Sequence, residues 1–354
     1  MSAEFHQTNL VATSGITVFL VGIALSSVAI APLSELYGRR PVYVTSYLFF
    51  IVWFIPSAVG WNIETVLVGR FFNGAAGGAV LSVAGGTLRD IFEPSQLQMP
   101  MAIFSASPFM GAAVGPVLGG FINYFSSTWR WTYYVLMIWS GVLLGLVVLC
   151  IPETYPPVLI HQAARGKQRN ARGKECGTPS SEVDKPSVVR TVAYSIRRPL
   201  MMLFLDPMCF CLCLLSSVVL GILYLFFNSF TIVFSGVYDL NLWQSGLCFL
   251  GIATGMILAV LSNVGFHWHY ARLLKKNNMV VKAEWRLIPS IVGAWLCVGG
   301  LFMFAWTTYP SVHWIVPIIG IALFGLGSLL VFTGVFTFLV EGTYVLPLRL
   351  AEIN

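Results

Sequence analysis

Apolar runs set the rhythm of this chain. Nine of them, at about 11–33, 42–59, 63–88, 101–122, 131–151, 207–234, 244–265, 288–308 and 312–340, alternate with shorter polar breaks. Roughly 20 mainly apolar residues make one helix across a bilayer, and each run has about that length. Lipid offers no partners for free backbone groups, so a spanning segment must satisfy them internally. The runs lack the period-two alternation of barrel strands and are too long for them. The pattern therefore predicts an all-α, polytopic membrane protein with about nine transmembrane helices. The first run does not read as a cleavable signal. No basic residue precedes it, and it ends in a charged turn rather than a small-residue cleavage site.

Composition agrees with the pattern. The 354 residues are 57% hydrophobic and 10% charged, with a mean hydropathy of +0.81, whereas a soluble domain carries about 25% charged residues. Charge then orients the chain. Of the 20 lysines and arginines, 18 follow odd-numbered runs: Arg39, Arg40 and Arg89, nine between Arg165 and Arg198, five between Arg272 and Arg286, and Arg349. Arg130 lies in the other set of loops and Arg70 inside a run. The positive-inside bias puts the odd loops in the cytoplasm and the N-terminus outside. The net charge of +6 reports this bias toward the anionic inner leaflet and gives no reason to expect nucleic acid. Tryptophans 61, 129, 131, 243, 285 and 314 fall near span ends, where an indole keeps its ring in acyl chain and its N–H wet.

Residues 152–206 divide the chain. They are basic and polar, with too little apolar surface to fold alone, so disorder is expected. Their end, VVRTVAYSIRRPLMMLF, has the spacing of a helix lying on the inner leaflet. The resulting plan is a five-span bundle over 1–151, a cytoplasmic linker over 152–206, a four-span bundle over 207–340 and a cytoplasmic tail over 341–354.

Few residues carry chemistry. Arg70, about two turns into the third run, places a guanidinium where insertion costs at least about 2.5–3.5 kcal/mol. It either snorkels outward, with Glu64 six residues back, or faces a wet cavity as a cation for coupled transport. Asn73 and Gly74 follow it by one turn. The turn SELYGRR joins Glu35, Gly38, Arg39 and Arg40; the arginines can pair with Asp90 and form a latch, or simply obey the positive-inside rule. Gly111, Gly115, Gly119 and Gly120 around Pro116 offer close helix packing and a kink. Tyr224, Phe227 and Asn228 offer an aromatic pocket with one polar handle for organic substrates, or ordinary packing. The cysteines lack metal spacing and read as small thiols packed in helices. His267 and His269 cannot share a helix face, so no metal is expected. No Walker loop, HExxH or nucleophile elbow occurs, so neither ATP, nor an enzyme activity, nor a cofactor is expected.

Three motifs in order carry a resemblance. APLSELYGRRP resembles the cytoplasmic-loop signature of the major facilitator superfamily, Gly-x-Leu-x-Asp-x-x-Gly-Arg-Lys/Arg, with Ala31 for the first Gly and Glu35 for the Asp. VGRFFNGAAGG resembles the family's fourth-helix signature at Arg70 and Gly74, and GAAVGPVLGG resembles the fifth-helix antiporter signature. SELYGRRP, GGTLRDIF and RRPLMMLFLDP look like the fungal drug:proton antiporter branch. The resemblance implies family helices two to ten of twelve, in an incomplete bundle built from inverted repeats around a central cavity. It also implies plasma-membrane, proton-coupled export of drugs, polyamines or toxins. Arg70, Asn73 and Gly74 would serve coupling, and Glu35, Gly38, Arg39, Arg40 and Asp90 a cytoplasmic gate. A transport-incompetent truncated fragment, or a sugar or siderophore carrier, are the alternatives.

Overall fold

The computed structural model describes residues 5, 7–92, 98–126, 128–160, 201, 203–276 and 283–353. Among them the chain is all-α. Helices α1 (Asn9–Tyr37), α2 (Arg39–Val59), α3 (Ile63–Ile91), α4 (Gln98–Phe125) and α5 (Arg130–Cys150) come first. They are followed by α6 (Pro207–Phe230), α7 (Leu242–Leu247), α8 (Leu250–Lys276), α9 (Ile288–Thr307) and α10 (Ile315–Ile353). Nine helical segments of the described residues are long and apolar enough to cross a membrane. The breaks follow the sequence: Gly38, at φ +98°, is the single residue between α1 and α2, a backbone conformation that side chains disfavour. At the far end of α6 one π turn, Thr231–Ser235, widens the helix before it stops. The expected linker disorder and surface helix over 161–200 lie outside the described residues, and the backbone of α10 runs through the expected tail to Ile353.

The chain forms two compact units. The first, residues 1–92 and 128–202, holds α1, α2, α3 and α5. There α3 packs on α1 and α2, and α5 packs on α2. Gly74 shows why the α1–α3 seam needs small residues. A Cβ there would run into the Phe19 carbonyl of α1, and one on Gly22 into the Phe71 carbonyl of α3. Such backbone contact is the main source of helix association where lipid is as apolar as leucine.

The second unit, residues 93–127 and 203–354, holds α4 and α6 to α10. Its core is aromatic. Phe226, Phe230 and Phe234 of α6 and its π turn meet Phe249, Phe304 and Phe324, with the rings of Phe230 and Phe249 stacked at 4.0 Å. Ala106, Phe109 and Ala113 of α4 belong to the same core. The sequence plan counted the α4 segment among the five spans of the N-terminal bundle; its contacts here are with α7, α8 and α10.

Candidate functional site

The turn at Gly38 organises a polar cluster in the first unit. Helix α2 starts at Arg39, so its first backbone N–H groups have no intrahelical partners. Pro41 has no N–H to satisfy. The other two are met by one carboxylate: Arg39 N donates to Glu153 Oε1 at 2.9 Å and Arg40 N to Glu153 Oε2 at 3.1 Å. Oε1 also accepts the N–H groups of Thr154 and Tyr155, at 3.1 and 3.0 Å. A negative charge at a helix N-terminus is favoured by the helix dipole as well. Gly38 lets the carboxylate in, because a Cβ there would lie 2.6 Å from Glu153 Oε2.

The arginine side chains close the cluster. Arg39 Nε donates to Asp90 Oδ2 at 3.1 Å, with side-chain exposures of 7% and 15%. Its Nη1 donates to Ser34 Oγ, and its guanidinium lies 5.2 Å from the Tyr155 ring. Arg40 Nη2 donates to the Val148 carbonyl at 3.0 Å. Of the predicted turn residues, Gly38, Arg39, Arg40 and Asp90 therefore come together. Glu35 is exposed and stands apart. Its expected place is taken by Glu153, which sequence reasoning assigned to the linker. A signal was present: Glu153 directly follows a span and is flanked by Pro152, Pro156 and Pro157, which restrict the backbone around it.

Arg70 is half-buried on α3. Its Nε donates to the Tyr133 hydroxyl at 2.9 Å, and its guanidinium lies 5.0 Å from the same ring. Tyr133, on α5, is buried among Phe54, Trp129 and Ala58. Sequence reasoning missed Tyr133, since nothing in a one-dimensional pattern pairs residues 70 and 133. The two neighbours of Arg70 in the motif point elsewhere. Asn73, 1% exposed, donates to the Phe50 carbonyl of α2 at 3.4 Å, and its Oδ1 has no hydrogen-bond partner among the described residues. Gly74 sits in the α1–α3 seam.

The antiporter-like stretch on α4 divides in two. Among the described residues, an added Cβ at Gly111, Gly115 or Gly119 would meet nothing within 4 Å. Contact occurs instead at Gly120 and Pro116. A Cβ on Gly120 would lie 3.1 Å from the Leu242 carbonyl, and one on Gly246 of α7 2.9 Å from the Pro116 carbonyl. On α6, Tyr224 is half-buried, while the side chains of Phe227 and Asn228 lie outside the described residues.

Residues 1–344 match the family described as Major Facilitator Superfamily. The chain belongs to the major facilitator superfamily. Within that superfamily it is 49% identical over 325 residues to the efflux pump atB of Aspergillus terreus, covering 90% of this chain and 68% of that protein. It is 38% identical over 340 residues to a probable drug/proton antiporter, YHK8, of Saccharomyces cerevisiae, covering 96% of this chain and 66% of the relative. The chain thus spans about two thirds of the length of these relatives. In fold it resembles the major facilitator proton:xylose symporter XylE, with TM-score 0.62 over 93% of this chain and 71% of the other, at 15% identity. The major facilitator fold and multi-pass membrane character of the chain follow from this membership and its nine apolar helices.

Proposed function

We propose that the chain serves proton-coupled export of small organic compounds across the plasma membrane, with its basic segments cytoplasmic. Relatives named as an efflux pump and a drug/proton antiporter support this reading. The observation that carries it is Arg70. Among the described residues this guanidinium has a neutral hydroxyl and an aromatic ring as partners, and no carboxylate. An uncompensated charge at membrane depth is costly. It is retained where an anion or a protonating carboxylate arrives during the cycle and finds the positive charge waiting. Tyr133 fixes the guanidinium without neutralising it, which keeps it available. Asn73 and Gly74 support the coupling helix from its other sides. Tyr224, Phe227 and Asn228 on α6 offer aromatic and amide contacts to a cationic or amphipathic substrate.

The cluster of Gly38, Arg39, Arg40, Asp90 and Glu153 acts as the cytoplasmic gate in this reading. Its hydrogen bonds are made in one conformation and released in another, and a buried pair of this kind can bias such an equilibrium by several kcal/mol.

Proteoliposomes carrying the chain, an imposed pH gradient and ethidium as a planar cationic probe test the proposal. The expected result is gradient-dependent ethidium movement that Arg70→Ala abolishes while the protein remains inserted. Arg70→Lys is expected to fail too, because a lysine keeps the charge but loses the planar fit to Tyr133. Unchanged movement in Arg70→Ala removes this residue from the mechanism. No movement in the unaltered chain overturns the assignment of export to these residues.

A further inference from the structure

We infer that the chain is S-acylated on both sides of segment 152–206. Cys150 before it, and Cys209 and Cys211 after it, carry long-chain fatty acyl thioesters in the inner leaflet. The cysteines divide by position. Cys248, just past α7, and Cys297, midway along α9, are buried, and their thiols donate to the Gln244 and Phe324 carbonyls at 3.4 and 3.8 Å. These two pack as small core thiols do. The other four described cysteines are not buried. Cys150 is the last residue of α5, while Cys209, Cys211 and Cys213 lie in the first two turns of α6. Free cysteine is among the most buried residue types, so thiols left unpacked only at these helix ends are not core filling. The expectation of packed thiols therefore holds for Cys248 and Cys297 alone.

Charged groups set the depth of these thiols. On α5, the Arg40 guanidinium donates to the Val148 carbonyl at 3.0 Å, and Glu153 binds the start of α2. Cys150 lies in sequence between those two anchor points, and charged groups keep to the water edge of a bilayer. On α6, the Asp206 carboxylate caps the helix by accepting the Met208 N–H at 3.0 Å. Cys209 and Cys211 follow it by three and five residues, about 4–8 Å along the axis at 1.5 Å per residue. Such juxtamembrane thiols are the ones that acyl transfer reaches. The helix faces then accommodate the chain. Cys211 heads a stripe with Leu214, Val218 and Leu225, and Cys150 one with Leu146, Val142 and Trp139. All six apolar side chains are more than half exposed. Their spacings keep each stripe on one side of its helix, so an acyl chain on either sulfur runs inward along apolar surface. In the reaction the sulfur attacks the carbonyl carbon of a long-chain acyl-coenzyme A held by a transferase. The S–H proton passes to a base of that enzyme, and coenzyme A leaves as its thiolate and is protonated. One thioester replaces another, with no change in oxidation state. The inference rests on the orientation given under the proposed function, because the acyl donor is cytoplasmic.

The test expresses the full chain in yeast. Free thiols in the membranes are blocked, thioesters are cleaved with neutral hydroxylamine, and each released thiol takes a polyethylene glycol maleimide that shifts the band on a gel. A hydroxylamine-dependent shift is expected in the unaltered chain. Cys150→Ser and the paired Cys209→Ser with Cys211→Ser are each expected to remove at least one shifted band, and the triple variant to remove them all. Palmitate bearing an alkyne, fed to the cells, is expected to label the unaltered chain and not the triple variant. These thiols are not packed in a core, so serine leaves no cavity, and the untagged band on the same blot verifies that each variant accumulates. No shift in the unaltered chain, or a shift that persists in the triple variant, overturns the inference. A shift lost only in Cys176→Ser assigns acylation to the segment between the helix ends and overturns these sites. A membrane-impermeant maleimide on intact cells reads the orientation separately. Labelling of Cys211 from outside overturns the cytoplasmic assignment of the proposed function together with this inference; missing acylation without such labelling overturns the acylation alone.

Discussion

At the residue scale, two glutamates near one turn trade roles. The sequence motif points to Glu35, since it stands at the acidic position of the signature. The folded chain instead aims Glu153 at the start of α2, where its carboxylate accepts four backbone N–H groups. Glu153→Ala is therefore expected to cost about 2 kcal/mol, and Glu35→Ala no more than about 0.5 kcal/mol. Thermal unfolding of the two variants in detergent compares them directly; equal losses would contradict the capping role. Asp90→Ala strands a buried guanidinium and is expected to cost about 3 kcal/mol by the same measurement. Arg39, Arg40, Gly38 and Asp90 were legible in the sequence, because short loops advertise charge and glycine. Tyr133 was not, and Glu153 showed only in the prolines around it. Both reach their partners across long chain separations, and such pairings depend on helix packing that periodicity alone does not encode.

At the element scale, spans were the most legible feature, since bilayer thickness and backbone hydrogen bonding leave one solution for an apolar run of this length. Helix faces were less so. The spacing of Gly111, Gly115 and Gly119 matches that of a packed seam, yet none of the three has a close neighbour among the described residues, while Gly74 and Gly120 touch backbone. Spacing shows that a helix can be approached closely, not which neighbour approaches. The contrast gives a paired prediction. Gly74→Val is expected to destabilise the first unit by about 1–3 kcal/mol through overpacking on Phe19, whereas Gly115→Ala changes stability by less than about 0.5 kcal/mol. Detergent-solubilised melting curves check both, and a large loss at Gly115 would show a close neighbour at that face.

At the scale of the whole molecule, the division of labour between units does not follow the order of the chain. Helix α4 is made early but supplies Ala106, Phe109 and Ala113 to the aromatic core of the second unit. A fragment of residues 203–354 lacks that wall. It is expected to be degraded when expressed alone and to accumulate when residues 1–202 are expressed beside it, as immunoblots of membrane fractions would show; accumulation of the lone fragment would mean that α4 is dispensable to that core. The same arrangement constrains how the protein is born. About 75 residues separate Ser127 from Leu203, so a ribosome working at ~5–20 residues per second needs roughly 4–15 s to deliver the next part of the unit. For those seconds α4 waits in the bilayer before α7, α8 and α10, the helices it packs on, have been made, and the yield of finished protein hangs on what shelters that face in the meantime.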